Sequence, residues 1–166
     1  MNDGRQSWIL AGLVGLFTLV HLSISNHLRM FSVSPNLAVT ALLTACMFLD
    51  SSASLYLGFA VGLVESSFVG RFIGSLIVTR CLVAWLVSLL EDRIYRDYLL
   101  IAIVTVFAGS ISMQLFFYLF APQADFFRWF LSAILQATYN GIFSIPIFLL
   151  MRRCTRRREP VIGSSI

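Results

Sequence analysis

The sequence contains no lysine and little charge of any kind: only 12% of its 166 residues are Asp, Glu, Lys or Arg, against about 25% in soluble domains. Hydrophobic residues make up 58% of the chain, and the mean hydropathy is +0.86. A soluble domain of this size still exposes about a third of its unfolded surface, so it could not hide this much apolar area from water. The composition excludes an ordinary cytoplasmic enzyme, a disordered tail and a disulfide-stapled secreted module.

Motifs of catalysis and metal binding are missing as well. The three cysteines, Cys46, Cys81 and Cys154, form no CxxC pair and no zinc pattern. The chain has no HExxH, no Walker loop, no GxSxG and no paired carboxylates within one apolar run. Hydrolysis or group transfer needs a nucleophile with a base, or a metal, within hydrogen-bond reach. We therefore expect no enzyme activity, no metal and no cofactor.

The positive charge is concentrated at the end of the chain. Twelve basic residues against eight acidic ones give a net charge of +4. Five arginines fall within the last fifteen residues: Arg152, Arg153, Arg156, Arg157 and Arg158. A nucleic-acid-binding protein spreads its arginines over a folded face, so we expect no nucleic-acid partner. We interpret this cluster as a topology anchor beside a lipid bilayer.

Six apolar runs predict an all-α integral membrane protein with six transmembrane helices in one bundle. The spans are expected at about residues 8–25, 35–50, 54–69, 72–90, 99–120 and 126–151, as one membrane domain over 1–151 with a basic tail over 152–166. The strands of a membrane β-barrel would alternate between polar and apolar residues, whereas these runs are continuously apolar. A spanning helix needs about 20 residues. The second and third runs are shorter, so they must extend into their flanks, lie in a thinned bilayer or be partly covered by neighbours.

The arginines also predict the orientation. With six spans and a cytoplasmic C-terminus, the N-terminus is cytoplasmic too. The cytoplasmic set is then Arg5, Arg93, Arg96 and the five tail arginines, and the outer set is Arg29, Arg71 and Arg128. Eight cytoplasmic arginines against three outer ones satisfy the positive-inside rule. A five-span alternative would put Arg5 outside, and it would require that one of the six apolar runs does not cross the membrane.

Small residues recur every four positions through the third and fourth runs. The members of this ridge are Ser54, Gly58, Gly62, Ser66, Gly70 and Gly74. Small residues at this spacing let another backbone approach closely, which drives helix association in lipid. Each step of four advances about 40° beyond a full turn. We therefore predict a helix-packing ridge in two pieces, broken near residues 68–70, each touching a different neighbour.

Polar residues form stripes inside the apolar runs. The last run carries Ser132, Gln136, Asn140 and Ser144, and the fifth carries Ser110 and Gln114. Residues four apart share a helix face, and polar side chains avoid lipid, so the stripes should converge in the bundle interior. They would form either a polar cavity or partner groove, or interhelical hydrogen bonds worth about 0.6 kcal/mol each. We favour the hydrogen bonds.

Glu65 and Arg80 are the ionisable residues inside the third and fourth runs. An arginine near the centre of a span costs about 2.5–3.5 kcal/mol on insertion scales. The two runs are expected to be antiparallel neighbours, and the long arginine stem could lean toward the carboxylate. An ion pair is one interpretation, and proton or ion coupling is the alternative.

Several short motifs resemble the family of the rod shape-determining protein MreD. They are Pro35-Asn36-Leu37, Gly58-Phe59-x-x-Gly62, Gly70 with Gly74, Arg93-Ile94-Tyr95-Arg96, Asn140-Gly141, Pro146 and the segment from Ile147 to Arg152. The resemblance covers about residues 8–158. The family commonly has an aspartate four residues after the second glycine, where this chain has Ser66 preceded by Glu65.

The resemblance implies a non-enzymatic scaffold subunit of the bacterial cell-elongation complex, in the cytoplasmic (inner) membrane with both termini cytoplasmic. Its expected partner is MreC and, indirectly, MreB, RodA and a class B penicillin-binding transpeptidase; a homo-oligomer stays open. The family's fold is similar to the S-components of energy-coupling-factor transporters. That similarity supplies an alternative function, a small-molecule-binding transporter subunit, which would need a polar pocket opening outward.

Overall fold

The computed structural model describes residues 3–24, 34–70, 73–91, 99–120 and 125–156, and these form α-helices without any strand. The helices are α1 (Asp3–Ile24), α2 (Leu37–Cys46), α3 (Ser51–Val69), α4 (Ile73–Glu91), α5 (Leu99–Phe120) and α6 (Phe126–Arg156). The predicted all-helical class is confirmed. Three segments are long and apolar enough to cross a membrane: Ser51–Val69, Leu99–Phe120 and Phe126–Thr155. The six-span arrangement stays a prediction.

The second helix is the one whose length differs most from that of its predicted span. α2 has ten residues, about 15 Å at the usual helical rise, which is half of a hydrocarbon core about 30 Å thick. Every residue of α2 is buried, and α2 contacts each of the other five helices. The short run is therefore covered by its neighbours, which was one of the three expected solutions.

The first half of the small-residue ridge packs α3 against α4. Ser54, Gly58, Gly62 and Ser66 are all buried on α3. A Cβ added to Gly58 would lie 2.8 Å from the carbonyl oxygen of Arg80, and one added to Gly62 would lie 2.8 Å from the Cα of Ile77. Both obstacles are backbone atoms, so α3 and α4 can approach this closely only because these positions lack side chains.

The second half of the ridge, Gly70 and Gly74, meets no neighbour in the described part of the chain, so the second neighbour expected there stays a prediction. Gly70 ends α3 in the left-handed conformation, with φ 65° and its N–H donating to the Ser66 carbonyl. Glycine suits this position because a Cβ is unfavourable there. A Cβ at Gly70 or Gly74 would meet no heavy atom within 4 Å in the part of the chain that the structure describes.

The apolar core surrounds α2. Leu42 and Leu43 are fully buried, together with Leu10 of α1 and Phe148 of α6. Large apolar side chains such as Trp8 remain exposed on the perimeter, as expected for a chain whose solvent is lipid.

The last helix continues beyond its predicted end. α6 runs on to Arg156, so Arg152, Arg153 and Arg156 belong to its final turns instead of to a separate tail. The other predicted anchors, Arg157 and Arg158, lie outside the described residues, as do Arg29, Arg71, Arg93 and Arg96.

Candidate polar site in the bundle interior

Asn36 joins three helices at the beginning of α2. Its side-chain oxygen accepts from the N–H of Val39 at 3.0 Å and caps the helix, while its Nδ2 donates to Oε1 of Glu65 on α3 at 3.0 Å. Its backbone N–H donates to Oδ1 of Asn140 on α6 at 2.9 Å. Asn140 lies near the middle of α6, so the bond to it places the beginning of α2 inside the bundle.

Glu65 and Arg80 form a buried ion pair between α3 and α4. Nε of Arg80 donates to Oε2 of Glu65 at 2.8 Å, and the two residues are 8% and 5% exposed. The close approach at Gly58 and Gly62 brings the two side chains together. Both carboxylate oxygens of Glu65 are thereby engaged, one by Asn36 and one by Arg80. The terminal amino groups of Arg80 donate no hydrogen bond to the described residues.

The polar stripes of α5 and α6 meet next to this pair. Nδ2 of Asn140 donates to Oγ of Ser110 at 2.9 Å. Nε2 of Gln114 donates to Oε1 of Gln136, and Nε2 of Gln136 donates to the carbonyl of Ser34 at 3.3 Å. The structure thus brings these four stripe residues into contacts between elements, as the hydrogen-bond interpretation expected.

Two members of the predicted stripe do not join this network. The hydroxyl of Ser132 donates to the carbonyl of Trp129 at 2.7 Å, and that of Ser144 donates to Gly141 at 2.6 Å. Both bonds stay within α6. A serine hydroxyl reaches the preceding turn of its own helix easily, so sharing a face with Gln136 and Asn140 did not give these serines an interhelical partner.

A cavity of about 260 Å³ lies beside the network. Its polar lining consists of Asn36, Arg80, Ser110, Gln114, Gln136 and Asn140, and its apolar lining of Val39, Val69, Leu76, Met113 and Phe117. On α3 and α5 these residues lie in the C-terminal half of the helix, on α6 they lie in the N-terminal half, and on α2 and α4 they lie near the beginning. In the predicted orientation this is the outer half of the bundle.

Two residues of this region were not predicted as site residues, although Asn36 belongs to one of the family motifs. Asn36 could have been found, because an asparagine directly before an apolar helix is a strong N-cap signal. His21 of α1 carried no such signal. It lies close enough to Glu65 and Arg80 to interact with both charges, and its buried Nδ1 has no hydrogen-bond partner among the described residues.

The groups that line the cavity can donate and accept hydrogen bonds. The cavity offers amide and hydroxyl groups and one guanidinium. In the described part of the chain, no group of three or more His, Cys, Asp or Glu side chains could hold a metal ion.

Comparisons of the chain with family models, with curated proteins and with solved structures give no match. A functional assignment therefore rests on the residue patterns and on the interior geometry.

Proposed function

We propose that this protein is an MreD-like scaffold subunit of the bacterial cell-elongation complex, acting by binding and without a chemical step of its own. It would cross the cytoplasmic membrane six times with both termini inside. The observation that supports this is that the motif residues build the interior. Asn36 starts α2 within the polar network, Gly58 and Gly62 set the contact between α3 and α4, and Asn140 links α6 to α2 and α5.

The expected partner is MreC, with MreB, RodA and a class B transpeptidase connected through it. A scaffold must hold its partner-binding faces in fixed positions. The interhelical bonds of Gln114, Gln136 and Asn140 favour such a rigid bundle, and the exposed apolar perimeter offers surface to both lipid and single-span partner helices.

A small-molecule-binding transporter subunit is the second candidate, and the cavity is the observation that favours it. The cavity has both polar and apolar lining residues and lies in the half of the bundle predicted to face outward. A transporter subunit would also need a surface for an energy-coupling partner.

Depletion and mild-detergent purification distinguish the two functions. For a scaffold we expect depleted cells to become round and MreC to co-purify with the protein. For a transporter subunit we expect rods of normal shape that lose uptake of one nutrient, with a coupling subunit co-purifying. Normal shape together with absence of MreC would overturn the scaffold proposal.

Alanine substitutions test whether a chemical step is involved. For a scaffold, Gln114→Ala and Gln136→Ala should each be mild, because an interhelical hydrogen bond in a membrane protein is worth under ~2 kcal/mol. The measurements are cell shape and MreC co-purification. A folded, partner-bound Gln136→Ala protein that had lost all function would instead indicate a substrate site.

A further inference from the structure

We propose that the interior cavity binds the anionic group of a small ligand, a carboxylate or a phosphate, through the guanidinium of Arg80. The site lies in the cavity that favours the transporter candidate and adds the chemical class of a ligand, which neither proposed function specifies; it is tested independently of the scaffold function.

Arg80 lines the cavity and has hydrogen-bond donors beyond the one that it uses for Glu65. A guanidinium carries five N–H donors, and in the described part of the chain one of them is used, from Nε to Glu65. Arg80 lines the cavity although it is only 8% exposed. Polar groups inside a protein are stabilised by hydrogen-bond partners, and the contents of the cavity can supply acceptors to Arg80. Carboxylate and phosphate oxygens match the planar fork of arginine.

The negative charge of Glu65 does not face the ligand position. Both of its oxygens are engaged by Asn36 and Arg80, and Glu65 is not among the residues lining the cavity. The beginning of α2 adds to the positive character, because Asn36 and Val39 line the cavity and a helix N-terminus favours anions. A ligand therefore meets the positive side of the ion pair.

The volume of the cavity and its other polar lining groups restrict the class of ligand further. A cavity of about 260 Å³ is smaller than the roughly 300–1,000 Å³ of sites for drug-sized ligands. Gln114 also lines the cavity, and an amide side chain has an oxygen that can accept a hydrogen bond. The site suits a small carboxylate or phosphate that carries a hydroxyl or amino donor. A free metabolite and a lipid headgroup both offer this chemistry.

Binding of inorganic phosphate and of succinate to the delipidated full-length protein tests the site. Native mass spectrometry of freshly extracted protein tests for a retained phospholipid. The key variant is Glu65→Gln with Arg80→Gln, which removes the guanidinium without leaving an unpaired buried charge. Arg128→Gln is the matched control, because Arg128 is an exposed arginine outside the cavity. Thermal unfolding verifies that each variant is folded.

We expect saturable binding of at least one of the two soluble probes, or retention of one phospholipid. The first result identifies a soluble ligand and the second a headgroup. The double variant should weaken binding at least about tenfold, the loss typical of a charge-assisted hydrogen bond, whereas Arg128→Gln should not change it. Glu65→Gln alone should strengthen binding, because the guanidinium loses its competing carboxylate. Absence of both soluble probes and lipid, or binding that the double variant leaves unchanged, would overturn the proposal.

Discussion

Asn36 caps a helix and at the same time faces a carboxylate, and only an amide side chain serves both purposes. Its oxygen accepts from the helix N–H of Val39, while its Nδ2 donates to Glu65. At an exposed helix start aspartate caps as well as asparagine. Here aspartate would place a second carboxylate next to Glu65, at the atom pair now 3.0 Å apart. The requirement for asparagine at this N-cap therefore comes from Glu65 on α3, and not from the capping of α2 itself.

Asn36→Asp should consequently destabilise the protein more than Asn36→Ala does. Alanine removes the cap, which costs about 0.5–2 kcal/mol, whereas aspartate adds repulsion between a half-buried carboxylate and the buried carboxylate of Glu65. Acidification should restore much of the loss, because a protonated carboxyl can again donate to Glu65. Unfolding by SDS in mixed micelles at several pH values measures this. Equal stability of the two variants at neutral pH would contradict the bond between Asn36 and Glu65.

The ion pair predicts a non-additive response to mutation. Removing one member of a buried pair costs about 3–5 kcal/mol, because the other charge is left unpaired, whereas replacing both members by apolar residues is often neutral. We expect Arg80→Met to be strongly destabilising, and Glu65→Leu with Arg80→Met to recover most of the stability. The same unfolding assay provides the values. Additive losses in this double-mutant cycle would show that the two side chains do not interact.

Between elements, the contact of α3 with α4 depends on two positions without side chains. A Cβ at Gly58 or Gly62 would meet backbone atoms of α4 at 2.8 Å, while a Cβ at Gly74 would meet no described atom within 4 Å. Backbone atoms cannot move aside as a flexible side chain can. The two helices would have to separate, and the pair formed by Glu65 and Arg80 would separate with them.

Gly62→Leu should therefore destabilise the bundle by at least the 1–3 kcal/mol typical of overpacking, and Gly74→Leu should have little effect. Gly74 is a matched control because it belongs to the same four-residue repeat and receives the same side chain. Expression level, thermal unfolding and co-purification of MreC are the measurements. A Gly62→Leu protein as stable as the Gly74→Leu protein would show that α3 and α4 do not pack at this ridge.

For the whole molecule, the native cysteines provide a test of orientation. Cys154 is exposed in the last turns of α6, whereas Cys46 is fully buried in α2. With the C-terminus cytoplasmic, a membrane-impermeant maleimide should label Cys154 in inverted vesicles but not in intact cells. Cys81→Ser simplifies the analysis, and Cys46 serves as the control that reacts only after denaturation. Labelling of Cys154 in intact cells would overturn the proposed orientation.

The sequence predicts the helices better than it predicts their contacts. In lipid each backbone N–H and C=O must be satisfied within the chain. A long, continuously apolar run meets this requirement as an α-helix, so the helical class could be predicted from the runs directly. Partner choice depends on three-dimensional position. Ser110 and Ser132 lie in similar stripes, yet Ser110 accepts from another helix and Ser132 donates to its own. Likewise, the sequence indicated a break of the ridge near residues 68–70, where Gly70 ends α3, but the repeat itself did not show which helix Gly58 and Gly62 contact.

The bond between Asn36 and Asn140 has a consequence for how the protein is made. Its two residues are 104 positions apart in the chain, which a ribosome translates in roughly 5–20 s at about 5–20 residues per second. During that interval α2 has already left the ribosome while its partner on α6 does not yet exist. If the chain is inserted into the membrane as it is made, the polar start of α2 is incompletely satisfied there until α6 is synthesised. Translation that stops before α6 would leave a fragment with an open interior, a natural target for membrane proteases.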